Sequence, residues 1–145
     1  MSQAIQSVQL TPRVEALLTA GGLPVSDLRD GAVTLFAHVD GDRLEGVVGL
    51  EIHGPSALLR SLAVAEGARG TGLGAALVAH AERHATAQGV RTVYLLTTSA
   101  AAFFARHGYR HADRGLAPAA IAATPQFAGL CPASSAFMSK VLAAH

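Results

Sequence analysis

Ser61-Leu-Ala-Val-Ala-Glu-Gly-Ala-Arg69-Gly70-Thr71-Gly72-Leu73-Gly74-Ala75 runs from an apolar, strand-like segment through three alternating glycines into a helix-forming one. The first N–H groups of such a helix have no intrahelical acceptors, and its macrodipole sets partial positive charge at that end. Glycines let a pyrophosphate approach the backbone without Cβ interference. Arg69 adds a full charge beside the same oxygens. The pattern predicts a phosphate cradle over Arg69 to Gly74. Two other glycine-rich phosphate loops are excluded by the surrounding residues. A P-loop ends in Gly-Lys-Ser/Thr, and position 75 is Ala. A dinucleotide-binding fingerprint carries an acid in the next strand, about 20 residues on, whereas the strand starting at Arg91 ends in Leu95-Leu96-Thr97-Thr98.

Working outward, Ala57 to Val64 reads as a nearly continuous apolar strand, suited to burial on both sheet faces. Thr71 to Gln88 reads as a helix with Leu73, Leu77 and Val78 on one stripe and Gly89 at its C-terminal stop. Arg91 to Thr98 is the next strand, and Ala100 to His107 a short helix closed by Gly108. Upstream, Val33 to Val39 and Leu44 to His53 form a hairpin around Asp40-Gly41-Asp42. Thr11 and Pro12 start a helix with Val14, Leu17 and Leu18 inward, Gly21-Gly22 end it, and Pro24 to Leu28 adds a second short helix. The tail holds a strand near Tyr109 to Asp113, a helical patch at Pro118 to Ala123, a loop through Pro132 and a last strand around Ala136 to Leu142. Hairpins followed by a strand–helix–strand crossover predict an α/β (α+β) fold with a mixed central sheet flanked by helices. With no repeat or linker, residues 1–145 read as a single domain.

Half of the 145 residues are apolar, enough for a core without disulfide or metal. Eleven Lys plus Arg against ten Asp plus Glu leave a formal charge of +1, which argues against nucleic acid or a membrane surface as partner. The start MSQAIQSVQLTPR has no charged segment followed by an apolar one, and no membrane-spanning run occurs, so a cytoplasmic location is expected. The lone Cys131 excludes an intrachain disulfide and a paired-cysteine zinc site. His80 and His84 stand four apart in a helical stretch, without the Glu of a metalloprotease pattern, and read as a solvated helix face. No metal is expected.

Arg69-Gly70-Thr71-Gly72-Leu73-Gly74, preceded by Leu59-Arg60-Ser61-Leu62-Ala63-Val64, resembles the Arg/Gln-x-x-Gly-x-Gly/Ala motif of the GNAT superfamily of N-acyltransferases. Phe103-Phe104-Ala105-Arg106-His107-Gly108-Tyr109 looks like its FYxxxGF motif, at the distance the superfamily would place it. The resemblance implies a mostly antiparallel, splayed sheet and acetyl-CoA as co-substrate. It implies that main-chain groups of Leu62, Ala63 and Val64 pair with the pantetheine amides. The pyrophosphate would lie on Arg69, Gly70, Thr71, Gly72, Leu73, Gly74 and Ala75, and Thr97 and Phe104 would also touch the cofactor. The Leu62 N–H would face the thioester carbonyl as an oxyanion donor.

Acetylation of an amine needs a proton acceptor, and the departing thiolate can use a donor. Where many relatives have a Tyr acid this chain has Phe104, and where many place Glu before the glycine loop it has Leu58. Glu51 and His53, alternating on one strand, are the remaining candidate bases. Arg60, Ser61 and Thr98 are candidate substrate contacts, Arg60 either for a substrate anion or as an ion-pair partner of Glu51. In a regular strand Arg60 would point to the side of Leu62 and Val64. Thr98 or Ser99 would otherwise cap the following helix.

Leu58 to Val64, Tyr94 to Ser99, Ala119 to Pro125 and Leu130 to Ser135 also resemble a GNAT branch associated with arsenic-resistance gene clusters. A neighbouring branch acetylates phosphinothricin and its arsenic analogue, which implies an amino-acid-like acceptor here. Cys131, one thiol between Leu130 and Pro132, fits a small buried apolar residue better than an arsenic site. The sequence thus predicts a small-molecule N-acetyltransferase working by direct attack of the amine. The competing readings are a non-catalytic acyl-CoA-binding or regulatory module and a protein N-acetyltransferase. The apolar tail strand could pair across two copies to give a homodimer.

Overall fold

The computed structural model describes residues 4–28, 33–130 and 134–142. Cys131 and Pro132, and with them the expectation for the thiol, lie outside the described residues. Seven strands form one mixed sheet: β1 (Gln6–Val8), β2 (Thr34–Asp40), β3 (Arg43–His53), β4 (Ser56–Val64), β5 (Thr92–Thr97), β6 (Arg110–His111) and β7 (Ala136–Val141). In hydrogen-bonding order they run β1-β2-β3-β4-β5-β7-β6. Four α-helices accompany them among the described residues: α1 (Pro12–Ala20), α2 (Leu73–Ala87), α3 (Ala101–Arg106) and α4 (Ala119–Ala122). The described residues gather into two compact units, one drawn from Met1–Glu51 and Leu59–His84, the other from Ile52–Leu58 and Ala85–His145.

In the first unit, Thr11 caps α1 by accepting from the Val14 N–H at 3.3 Å, and Pro12 supplies the fixed φ that the first helical position tolerates. Val14 and Leu18 of α1 pack with Leu28, Leu35, Ala37 and Val47 in one core cluster. Strands β2 and β3 pair antiparallel from Thr34–Leu50 to Asp40–Arg43, closed by Gly41 at φ 62°, with a register shift between His38 and Val39. The buried stripe of α2 reaches β3 at Gly46: a Cβ there would stand 2.9 Å from Leu77 Cδ1 and 3.0 Å from Leu73 Cδ2. A bare glycine therefore lets the helix sit close. Two expectations change. Strand β1, pairing antiparallel with β2 from Gln6–Ala37 to Val8–Leu35, lacks an alternating apolar pattern and was not anticipated. Within Pro24 to Leu28, expected as a second short helix, Ser26 and Asp27 form a turn and Leu28, whose N–H donates to the Val25 carbonyl at 3.1 Å, has 3-10 geometry.

In the second unit, β4 and β5 run parallel over Ser56–Thr92, Ala57–Val93 and Leu58–Tyr94. Strand β7 pairs antiparallel with β5 over Thr92–Val141 to Thr97–Ala136, and with β6 on its other side. Leu58, Ile121 and Phe137 form the core there, joined by Tyr94, Leu96 and Phe127. Tyr94 stacks on Phe137 with ring centroids 5.5 Å apart. Glycines at positive φ close α2 (Gly89, 87°) and α3 (Gly108, 94°), as the sequence predicts.

Candidate active site

The glycine loop leaves β4 at Val64, passes a 3-10 turn at Glu66–Ala68 and enters α2 at Leu73. Gly70 and Gly72 take φ of 79° and 85°. A side chain in that left-handed region costs about 1–2 kcal/mol, which selects glycine. A Cβ at either position would meet no atom within 4 Å, so the backbone here is uncovered. The Ala76 N–H donates to the Gly72 carbonyl at 3.0 Å, so the N–H groups of Leu73, Gly74 and Ala75 precede the first bond of the helix and have no helical acceptor. Arg69 is exposed and its Nε donates to the Val64 carbonyl at 3.3 Å, folding the side chain over the loop. Open backbone at Gly70 and Gly72, the orphan donors of Leu73, Gly74 and Ala75 and the Arg69 guanidinium all belong to one short loop. These residues fit a diphosphate.

A second feature precedes the loop. Ser61 takes φ 59°, the one non-glycine residue at positive φ among the described residues. Regular alternation along β4 therefore breaks at Ser61, and the expectation that Arg60 shares a side with Leu62 and Val64 does not carry over to this strand. Arg60 is wholly buried, with side-chain exposure of 0% against 8% for Asp27 and 5% for Glu51. Its Nη1 donates to Asp27 Oδ2 and, at 2.9 Å, to Glu51 Oε2; its Nη2 donates to Asp27 Oδ1 at 2.7 Å and to the Pro24 carbonyl at 3.5 Å. Nε donates to Ser61 Oγ at 3.0 Å. Every N–H of the guanidinium thus points at a protein acceptor. Burial opposes the charge, but the hydrogen bonds and charges of Asp27 and Glu51 outweigh it and hold the Arg60 pKa above its ordinary value. Glycine again permits the approach, since a Cβ on Gly49 would lie 3.3 Å from both Arg60 Cγ and the Arg60 carbonyl.

The first unit thus gathers Glu51, Arg60 and Ser61 around Asp27, and also contains Leu62, Ala63 and Val64, all partly buried, and the loop Arg69 to Ala75. His53, Thr97, Thr98 and Phe104 belong to the second unit. His53 is half-buried at the end of β3, and Thr98 is exposed. Phe104 is buried, edge-on to Phe103 and Tyr109 with centroids 5.1 and 5.5 Å apart. Leu58, where relatives often carry Glu, is fully buried in the apolar cluster. The expected cap at Thr98 or Ser99 is corrected: Thr97 Oγ1 accepts from the Ala100 N–H at 2.9 Å, and α3 begins at Ala101 with no side-chain cap of its own.

His80 and His84 are likewise not a solvated face. Both are partly buried edge-on to Phe36, with ring centroids 4.8 and 5.0 Å away. Burial, then the charges of Arg83 and His84, push the His80 imidazole below its ordinary range. Among the described residues no group of three or more His, Cys, Asp or Glu could hold a metal ion. No helix there is long and apolar enough to cross a membrane. Asp27 escaped the sequence reading because nothing in its turn marks a partner 33 residues away.

A model of the acetyltransferase (GNAT) domain family matches residues 30–111. Among curated proteins, none matches this sequence. Many solved structures do in fold. N-acetylglutamate synthase from Neisseria gonorrhoeae, complexed with coenzyme A and N-acetyl-glutamate, superposes with a TM-score of 0.82 at 18% identity, covering 99% of this chain and 36% of that one. This chain therefore spans about a third of that enzyme's length. An acyl-CoA N-acyltransferase-like protein from Klebsiella pneumoniae gives 0.76 at 22% identity, with 97% and 98% covered. A Mycobacterium tuberculosis protein crystallised with CoA gives 0.75 at 20%, with 97% and 99% covered.

Proposed function

The chain belongs to the acetyltransferase (GNAT) domain family, and we propose that it is an acyl-CoA-dependent acetyltransferase that transfers acetyl from acetyl-CoA to the amine of a small, amino-acid-like molecule. The observation that carries this reading is the glycine loop. Orphan N–H groups of Leu73, Gly74 and Ala75, open backbone at Gly70 and Gly72, and Arg69 together suit a diphosphate anchor. From that anchor the pantetheine would run back along Leu62 to Val64, as a peptide adds to a strand edge. Thr97 and Phe104 are further contacts in the same proposal, and the whole chain is taken as one acetyltransferase domain. Neighbours of matching length, covered over 97% of this chain, support that last point.

In the proposed reaction the neutral amine nitrogen attacks the thioester carbonyl carbon, the carbonyl oxygen takes negative charge toward the Leu62 N–H, and the C–S bond then breaks to release the thiolate. The amine's extra proton passes to a base, and the thiolate takes one from water. Holding both reactants in one complex supplies much of the barrier reduction, so no strong base is required. Glu51 is committed to Arg60. His53, half-buried at the strand end, is the other candidate base in this proposal. Ser61, Thr98 and the Arg60 cluster are the candidate acceptor contacts; with its donors occupied, Arg60 would bind a substrate anion only by releasing a carboxylate.

An amino-acid-like acceptor is supported by the resemblance of the tail to the arsenic-resistance-associated branch, and by a neighbour that binds N-acetyl-glutamate. Action in the cytoplasm and pairing as a homodimer belong to the same proposal. The test is thiol release from acetyl-CoA against a panel of L-amino acids, phosphinothricin, polyamines and peptides. Turnover with amino-acid-like amines is expected. Tight CoA binding with no turnover on any amine would favour a binding module, and acetylated peptides alone would favour a protein acetyltransferase.

A further inference from the structure

Among the candidates in the molecule, the buried cluster around Arg60 is the one whose parts converge on a reacting position. The histidines on α2 face Phe36 and bring no ligand or partner with them. The exposed Leu116 and Val141 have nothing on them to say what would cover them. Asp27, by contrast, spends both carboxylate oxygens on one buried guanidinium, and that guanidinium is bonded to the residue with the unusual backbone.

The dihedrals of Ser61 set the direction of the peptide that follows it, and the N–H of that peptide belongs to Leu62. A serine does not hold a left-handed φ of 59° by preference. Something must over-determine it. Beside the pairing of β4 with β3, the side-chain restraint is the bond from Arg60 Nε to Ser61 Oγ at 3.0 Å. A single such bond constrains Ser61 only if the guanidinium itself cannot rotate. Asp27 supplies that immobility: a two-point planar clamp permits one orientation of the fork, whereas Glu51 alone, bonded through Oε2 to Nη1, leaves rotation about that contact.

We propose that Asp27 is a positioning residue: by clamping Arg60 it holds the left-handed turn at Ser61 and so aims the Leu62 amide at the reacting carbonyl. The proposal rests on the reading of Leu62 as oxyanion donor. It adds a residue that touches neither reactant. It also assigns the turn after α1 a task in the reaction, since that turn carries both Asp27 and the Pro24 carbonyl to Arg60.

The test is amide NMR on the full chain labelled with nitrogen-15, following Ser61 and Leu62 with and without acetyl-CoA, beside calorimetry with the same probe. In Asp27→Asn, which keeps the shape but loses the charge, the ligand-free Leu62 resonance moves and loses most of its acetyl-CoA-induced shift. The acetyl-CoA Kd stays within about threefold, because the diphosphate loop does not depend on Asp27. Asp27→Glu, which restores the charge at a different length, moves Leu62 by an intermediate amount and remains a folded comparison should Asp27→Asn fail to fold. In a Ser61→Gly background, where the left-handed turn needs no support, Asp27→Asn moves Leu62 far less. A Leu62 resonance unchanged in Asp27→Asn, or in Asp27→Glu if only that variant folds, overturns the proposal, even if melting temperature falls. Absence of any acetyl-CoA binding by the unaltered protein would sink the cofactor reading instead, while the ligand-free Leu62 comparison still decides the role of Asp27.

Discussion

Arg60 concentrates the energetics of the site in one side chain. Removing one partner of a buried ionic cluster leaves the others uncompensated, which typically destabilises by about 3–5 kcal/mol. Arg60→Met, leaving Asp27 and Glu51 without their shared guanidinium, is expected to lower urea-measured stability by about that amount; a change under about 1 kcal/mol would mean water already reaches the carboxylates. Glu51 and His53 separate on different readouts. His53→Gln should lower kcat/KM by about tenfold or more with little change in melting temperature, whereas Glu51→Gln should chiefly lower melting temperature. An unchanged kcat/KM in His53→Gln removes His53 as base. At this scale the sequence was half legible. Glu51 and Arg60 stand out as charges in apolar strands, which makes their pairing one of the two roles open to Arg60 in the sequence. Asp27 and the φ of Ser61 were not legible, because a turn carboxylate has no periodicity and serine gives no sign of a left-handed backbone.

The element that matters most is the loop into α2, where local rules and tertiary demands agree. Glycines at 70 and 72 are needed for φ alone, since a side chain would find open space. Gly72→Ala should therefore destabilise by about 1–2 kcal/mol through strain, with the loss visible in chemical denaturation before any ligand is added; a variant as stable as the parent would place Gly72 outside the left-handed region. Helix α2 also carries a pH response through His80. The folded His80 takes up its proton at a lower pH than the ordinary value of 6.5, because of burial, Arg83 and His84. Above pH 6.5 the imidazole is neutral in both states and its packing contributes in full. As pH falls below that value the unfolded chain binds the proton first, so stability is lost. Melting temperature should fall on acidification below 6.5, and less steeply in His80→Gln; equal slopes would assign the response to other groups. The helix itself, its apolar stripe and its glycine stop were readable from spacing. That His80 and His84 pack on Phe36 was not, since it depends on how α2 lies over β2.

For the molecule as a whole, the order of strands and helices and the mixed sheet followed from punctuation: Asp-Gly at one hairpin, Gly-Pro at the next, glycine loop, glycine stops. Misses fell where tertiary pairing overrides local pattern. Strand β1 exists because β2 offers it an edge, and Ser26 and Asp27 turn where the Asp27 carboxylate and the Pro24 carbonyl serve Arg60. The near-neutral sequence charge leaves the loop itself, with Arg69, to attract an anion. Calorimetric titration of acetyl-CoA into the protein and into Arg69→Glu tests that most directly. One saturable site per chain is predicted, weakened roughly tenfold or more when the charge beside the diphosphate is reversed. No binding heat for the unaltered protein, or equal affinity in the two, would contradict the assignment of residues 69–74 as the diphosphate site.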